Sequence, residues 1–529
     1  MPTRDPDSTS PSSPSAEATD SSRTSDDAPL PRGAGERKSY GAVARRGVAW
    51  SFFREGVSEM MTTPTAIVMA RLISPYDFGI AASTGFFLSL ARRLTNFGFN
   101  QALVRVKHLR PEHSSSVFVI TLAMGFTAYA ILVASAGAIA AFFNAPQVAQ
   151  VIPIAALTFI ISPFGTVPAA LLVRDMQFQR TAAADWIGGL GEAVSAIWLA
   201  WAGFGFWSLV YSRVIGDTLN SGAKVVLGRW RPSLRFSLSA TRELFSFGSG
   251  VFFKRLLDYA ASNLDNLVVG RVLGITMLGF YDKAFMSMNK VLVRINSGGP
   301  GVSFRVFALI HEERERFQRA YQRVVLAASL LSYPLLVGLA AAGPELIPVV
   351  YGDRWLPAVA PFQLLCLAGA LKVLNEYAGT ALQAAGHIWG QVTRQAIHVV
   401  LIIAFVAMFG RSGITGAALG VLLATVLMAI MMNALLVRVT RISASAVISA
   451  LVPGLIAALV VAAAVLGSRG AISEIQAVRW QLLVAEAVAG TVAYVLFLKL
   501  NRFPAVRRLL RDSASDLPGP LGLAVRLVA

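Results

Sequence analysis

The sequence predicts an all-α polytopic membrane protein of about fourteen transmembrane helices, arranged as two six-helix lobes in parallel repeat plus two C-terminal helices. Three observations predict it. Of 529 residues, 55% are hydrophobic and only 14% charged, where a soluble chain carries about 25% charged residues. Apolar runs of about twenty residues recur from residue 47 to residue 499, each long enough to cross about 30 Å of hydrocarbon as a helix. A pattern in the first part of the chain also returns 200 residues later: Phe52, Phe53, Arg71, Gly79, Asn96 and Gly98 are matched by Phe252, Phe253, Arg271, Gly279, Asn296 and Gly298.

Apolar runs bounded by charge or Gly/Pro clusters place spans near 47–70, 78–101, 114–140, 148–172, 181–202, 206–227, 244–269, 277–301, 321–342, 358–382, 389–409, 414–437, 444–467 and 480–499. Gly125, Pro153, Pro163 and Pro168 predict kinks in the third and fourth, because neighbouring helices can satisfy freed backbone groups in a membrane. Six spans separate the two copies of the repeat. Both copies therefore run in the same direction, and their pseudo-symmetry axis follows the membrane normal.

The chain accordingly divides into five parts. Residues 1–40, rich in Ser, Pro, Asp and Thr, have the composition of a disordered cytoplasmic tail. Residues 41–236 and 237–440 are the two lobes, 441–500 carries two further spans, and 501–529 is a basic cytoplasmic tail. Lys and Arg collect in cytoplasmic loops, and here they collect at 105–110, 174–180, 228–236, 312–319 and beyond Lys499. The opposite connections hold only Arg71, Arg271, Arg354, Arg411, Arg469 and Arg479. Both termini are thus expected in the cytoplasm.

The net charge of +18 is explained by these loops facing anionic phospholipid and does not call for nucleic acid. Cys366 stands alone, and His108, His113, His311, His387 and His398 form no ligand-spaced cluster, so neither a disulfide framework nor a metal site is expected. Ser/His/Asp, P-loop and zinc motifs are absent from the sequence. No catalytic residue or cofactor is expected.

Four of the predicted spans supply seven candidate site cations: Arg54 on the first, Arg92 and Arg93 on the second, Lys254 and Arg255 on the seventh, and Lys290 and Arg294 on the eighth. Unshielded at the bilayer centre they would cost about 20 kcal/mol together. They occupy equivalent helix pairs of the two repeats, between the cytoplasmic third and the middle. A cationic cavity open to the inner leaflet is the simplest arrangement that uses all of them.

Local ion pairing is the competing explanation. It fits Lys254 and Arg255, which reach Asp258, and Arg213, which reaches Asp217, as well as a binding role does. Lys290 and Arg294 have no carboxylate at i±3 or i±4, which predicts an external anion. Arg92 and Arg93 also lack a local partner, although Glu55 or Glu59 on the first span can supply one. Arg offers phosphate a planar fork and Lys a point charge, so a lipid pyrophosphate suits such a site.

Of the acids within spans, most read as counter-ions. Asp265, with no base within one turn, and Glu376, beside Asn375 in the largely apolar tenth span, are the candidates for ion coupling.

Several stretches resemble the polysaccharide transporter family, the Wzx-like lipid-linked oligosaccharide flippases, within the superfamily that also holds multidrug extruders and the lipid II flippase. They are ARLISPYDFGI at 70–80, NFGFNQALVR at 96–105, LLVRDMQFQR at 171–180, FGFWSLVYSRV at 204–214, LDNLVVGRVLGITMLGFYDKAFMSMN at 264–289, YGDRWLPAVAPFQLLCLAGAL at 351–371 and GTALQAAGHI at 379–388. The 264–289 stretch is the most specific.

The resemblance implies two six-helix lobes in a V around a cationic cavity, in the inner membrane of a bacterium. It implies translocation of a polyprenyl-pyrophosphate-linked oligosaccharide by alternating access, beside glycosyltransferases and a polysaccharide polymerase. A cation-drug antiporter of the same architecture is disfavoured by the excess of cations over acids in the spans. A membrane glycosyl-polymerase or ligase is disfavoured by short outer loops, the longest being 343–357 and 468–479.

Overall fold

Regular structure in the computed structural model is helical across the residues it describes, namely 56–95, 103, 104, 106, 109–237, 259, 263–473 and 478–516. In chain order the helices are α1 (56–72), α2 (Pro75–Thr95), α3 (Pro111–Phe143), α4 (Pro146–Ala155), α5 (Leu157–Arg174), α6 (Phe178–Trp201), α7 (Phe206–Leu227), α8 (described over 263–273) and α9 (Ile275–Asn296). There follow α10 (Gly299–Ile310), α11 (Arg314–Ala341), α12 (Gly343–Tyr351), α13 (Val359–Ala384), α14 (Ile388–Phe409), α15 (Ile414–Thr440), α16 (Ala444–Ser473), α17 (Arg479–Leu500) and α18 (Pro504–Asp516).

Among the described residues, eight segments are long and apolar enough to cross a membrane: α3, the α4–α5 pair, α11, the segment ending in α13, and α14 to α17. Helices α2, α6, α7 and α9 are of spanning length at 21, 24, 22 and 22 residues, since each residue adds about 1.5 Å. They miss the apolar standard because they carry the charged side chains. The chain is an all-helical polytopic membrane protein. The expected spans at 47–70, 78–101 and 244–269 and the loop at 105–110 lie partly outside the described residues, and Arg54, Lys254, Arg255 and the 1–40 tail lie wholly outside them.

Two predicted spans are divided. The fourth breaks at Ala156, between α4 and α5, while Pro163 and Pro168 stay inside α5. The eighth ends at Asn296, and Gly298 at φ +87° redirects the chain into α10. The third runs unbroken as α3, where Gly125 serves close approach, facing the Phe159 carbonyl of α5.

The 70–80 stretch has a physical reading. Ser74 and Asp77 cap the start of α2 reciprocally: the Ser74 amide and hydroxyl donate to Asp77 Oδ2 at 3.0 and 2.6 Å, and the Asp77 amide donates to Ser74 Oγ at 3.2 Å. Asp77 Oδ1 also accepts the amide of Phe206 at 2.9 Å, so the same side chain caps α7.

Helices α2 and α9 lie together at the centre. A Cβ on Gly79 would strike the Ile275 carbonyl, and one on Gly279 would strike the Pro75 carbonyl. These are equivalent positions of the repeat, so the two copies meet through a local twofold axis at the N-terminal ends of α2 and α9.

That end is shut by further bonds between the copies. Arg71 donates to the Val349 and Val350 carbonyls at 2.5 and 3.2 Å, and its equivalent Arg271 donates to the Phe142 carbonyl at 2.6 Å. Arg354 reaches the Ile73 carbonyl at 3.3 Å. Trp355, fully buried, donates from Nε1 to the Ala70 carbonyl at 2.8 Å and meets the rings of Phe78 and Phe280 edge-on.

The loop at 228–236, expected in the cytoplasm, is held against the start of α3: the Ser237 amide donates to Ser116 Oγ at 2.9 Å, and Trp230 packs edge-on against Phe118. A membrane-impermeant maleimide is expected to label Ser233→Cys in inverted vesicles and not in intact cells. Labelling in intact cells would reverse the orientation.

Candidate functional site

Helix periodicity assembles the site on α9. At 100° per residue, Lys283, Lys290 and Arg294 fall within about 40° of one another and form one stripe along the helix. Exposure rises along the stripe: Lys283 is buried, while the side chains of Lys290 and Arg294 are 43% and 54% exposed. The contact between α2 and α9 is therefore closed at their N-terminal ends and open at their C-terminal ends.

Lys290 and Arg294 are not without a carboxylate. Glu59 on α1 pairs with Lys290 and lies 3.6 Å from Arg294, and Thr63 Oγ1 accepts from Lys290 at 2.5 Å. The partner comes from 231 positions away in the other repeat, so no i±4 rule on α9 reveals it. Two cations still share one acid, which is itself 36% exposed.

Among the described residues Arg92 does not pair with Glu59, and Glu55 lies outside them. Arg92 pairs instead with Asp217 on α7 at 3.6 Å, which Arg213 shares at 3.6 Å, and Arg213 also reaches Glu192 on α6 at 3.4 Å. The expected Arg213–Asp217 pair is present. Arg93 lies 4.6 Å over the ring of Tyr259, whose hydroxyl donates to the Phe86 carbonyl at 2.8 Å. Arg93 has no ion pair among the described residues. Five cations thus face three carboxylates around the C-terminal halves of α2 and α9.

Lys283 closes the deep end of the stripe. Its Nζ donates to the Ala66 carbonyl at 3.3 Å and sits 4.3, 4.5 and 5.5 Å from the rings of Phe78, Tyr351 and Trp355. The sequence reading overlooked it, although a cation seven residues before Lys290 lies on the same helical face.

The two coupling candidates occupy different surroundings. Asp265 is buried, accepts from the Tyr281 hydroxyl at 2.9 Å through Oδ2, and keeps Oδ1 without a hydrogen-bond partner. Lys372 on α13, also overlooked, acts electrostatically on Asp265 and lies 5.2 Å from the Phe285 ring. Lys372 makes no ion pair with Asp265 among the described residues, so its influence is exerted at longer range through tertiary packing. Glu376, one turn beyond Lys372, is exposed. No group of three or more metal-ligating side chains occurs among the described residues.

A family model for "polysaccharide biosynthesis protein" matches residues 68–360. The lipopolysaccharide biosynthesis protein WzxC of Escherichia coli (strain K12) is 24% identical over 395 residues, 72% of this chain and 78% of that protein. The succinoglycan biosynthesis transport protein ExoT of Rhizobium meliloti (strain 1021) is 28% identical over 61% of this chain and 65% of its own length, just under two thirds. Among solved structures, "Lipid II flippase MurJ, inward closed conformation" superposes with a TM-score of 0.65 over 85% of this chain and 98% of that one at 13% identity. An inward-facing multidrug resistance MATE transporter gives 0.59 over 73% and 96%, at 15% identity. At these identities the superpositions establish the fold alone.

Proposed function

Because the chain belongs to the polysaccharide biosynthesis protein family, we propose that it is a flippase carrying a polyprenyl-pyrophosphate-linked oligosaccharide from the cytoplasmic to the outer leaflet by alternating access, for export of a surface polysaccharide or exopolysaccharide. The observation that carries this reading is the half-exposed cationic group at Lys290, Arg294, Arg92 and Arg93. Its cations outnumber its carboxylates, so it attracts an anion and repels a cationic drug.

In this reading the pyrophosphate displaces Glu59 from Lys290 and Arg294. Arg54, Lys254 and Arg255, which lie outside the described residues and fall on the first and seventh spans expected from the sequence, are proposed to complete the anion site. The carboxylate then acts as a resident stand-in for the substrate, keeping the cations soluble in a membrane when the site is empty. Release of Glu59 also frees α1 from α9. Substrate binding is thereby linked to the one ion-paired contact described between the repeats at their open end. Glycosyltransferases that build the oligosaccharide on the cytoplasmic side and a polymerase on the other are the partners this task requires.

The test is reconstitution. In proteoliposomes holding a fluorescent polyprenyl-pyrophosphate oligosaccharide, the protein is expected to accelerate loss of the label to an impermeant quencher well above protein-free vesicles. Absence of acceleration, or exchange of an organic cation instead, would overturn the proposal.

We assign the coupling role to Asp265 ahead of Glu376, because a buried carboxylate with an unfilled oxygen responds most to a bound proton or cation. Asp265→Asn is expected to remove the dependence of flipping on an imposed proton or sodium gradient while the protein still accumulates in the membrane. Glu376→Gln is expected to have the smaller effect. Gradient dependence identical to the parent in both variants removes both residues from the mechanism.

A further inference from the structure

Away from the central cations, an apolar groove of about 560 Å³ runs between α2 and α3, lined by Phe87 and Leu94 on one side and by Ile120, Met124 and Ile131 on the other. Its few hydroxyls are spent on their own helices. Thr95 donates to the Ala91 carbonyl at 3.1 Å, Thr127 to Ala123 at 2.9 Å and Ser135 to Ile131 at 2.7 Å. At its mouth stands Phe236, which also lines a second cavity of about 780 Å³ holding Arg110, Arg231 and Arg235. None of these three exposed arginines has an ion pair among the described residues, and the single carboxylate in that cavity is Glu112. A basic cavity at the predicted cytoplasmic face and an apolar groove along α3 thus adjoin at one aromatic ring, Phe236.

We propose that this pair of cavities is a loading site for the lipid carrier, its pyrophosphate held by Arg110, Arg231 and Arg235 and its polyprenyl chain laid in the groove. The inference rests on the flippase reading and adds a second station to it. Charge complementarity selects an anionic head group, and Arg forks suit phosphate oxygens.

Depth selects the chain. On α3 the groove extends from Val119 to Ser135, about 24 Å at 1.5 Å per residue, whereas one leaflet offers about 15 Å of hydrocarbon, half of the usual core. A phospholipid tail ends at the midplane, and a polyprenyl chain continues. The groove is also separate from the central site. Arg92 and Arg93 do not line it, and at 100° per residue they stand about 100–160° around α2 from Phe87, Ala91 and Leu94.

The test uses the full chain in phosphatidylcholine nanodiscs with a polyprenyl pyrophosphate bearing a diazirine in its chain, cross-linked sites being read by mass spectrometry. Label is expected on residues 119–135 of α3 and, as the central site fills, on α9. Arg110→Gln, Arg231→Gln and Arg235→Gln together are expected to cut the α3 label at least about tenfold, since each charge-assisted hydrogen bond is worth roughly that factor or more. The α9 label should survive at saturating probe. Ala128→Trp, which fills the groove, should cut it as far.

An excess of phosphatidylglycerol should leave the α3 label in place; displacement would mark a phospholipid site and overturn the proposal. Label on α9 alone, or an α3 label indifferent to the arginines, overturns the loading site and leaves the flippase standing. Label on neither helix counts against both.

Discussion

Lys290→Gln with Arg294→Gln is expected to lower the flipping rate about a hundredfold or more while leaving the protein folded. Each cation removed withdraws a charge-assisted hydrogen bond to phosphate worth about 1.5–3 kcal/mol, so two together exceed a factor of about a hundred. The stability cost is small for a stated reason. Glu59, the partner left behind, is 36% exposed, and both cations are about half exposed. Pairs of that exposure contribute about 1 kcal/mol or less, because water replaces the lost partner.

The melting temperature in detergent should therefore move by no more than about 2 °C. A drop of ten degrees or more would show the cluster to be structural. Flipping at the parental rate would end its assignment as the anion site. Glu59→Gln is the complementary variant: it removes the resident carboxylate, and binding of inorganic pyrophosphate should tighten.

Trp355→Ala is expected to produce the largest loss of stability of any single change considered, about 3–5 kcal/mol, the range for truncating a buried Trp. The side chain is fully buried against Phe78 and Phe280, and its Nε1–H bond to the Ala70 carbonyl joins the two repeats. Truncation also removes one of the three rings around Lys283. Because these contacts belong to the shut end, the variant should favour the state open at that end, and flipping should slow even where the protein remains folded. Trp355→Phe keeps most of the ring and loses only the donor, so it should recover all but about 1 kcal/mol. A Trp355→Ala protein that melts with the parent would show that the closure rests elsewhere.

Much of this architecture was legible in the sequence because it rests on local periodicity. The apolar runs located the helices, and Gly79 and Gly279, matched at an offset of 200 residues, both sit at the crossing of α2 and α9. Ion pairing was less legible, since Glu59 reaches Lys290, and Asp217 reaches Arg92, across the fold and not along a helix. Rules confined to i±4 find Arg213–Asp217 and miss these.

Lys283 and Lys372 were missed for a different reason. Each is a single cation in an apolar stretch and draws less notice than a doublet such as Arg92 and Arg93. Helical phase would have recovered Lys283, and only packing recovers Lys372. The break at Gly298 was hidden because the apolar run continues through it. Hydropathy records what a segment is made of, and φ decides where it turns.

The reciprocal seating of Gly79 on Ile275 and Gly279 on Pro75 also bears on how the two halves of the chain can diverge. In a contact of this symmetry one patch is used twice. In a half-length ancestor pairing with itself, a single glycine would have served both crossings, and one substitution would have broken both. Fusion into one chain frees each copy to mutate alone, yet each crossing still closes on the backbone of the other, where no side chain fits. Backbone tolerates any sequence that keeps its path. Between the paired arginines and the paired glycines, residues 72–78 and 272–278 accordingly share no identity at all, while Arg71 with Arg271 and Gly79 with Gly279 remain the same. At this crossing, identity between the copies is confined to the arginines and glycines that meet backbone, and the stretch between them differs throughout.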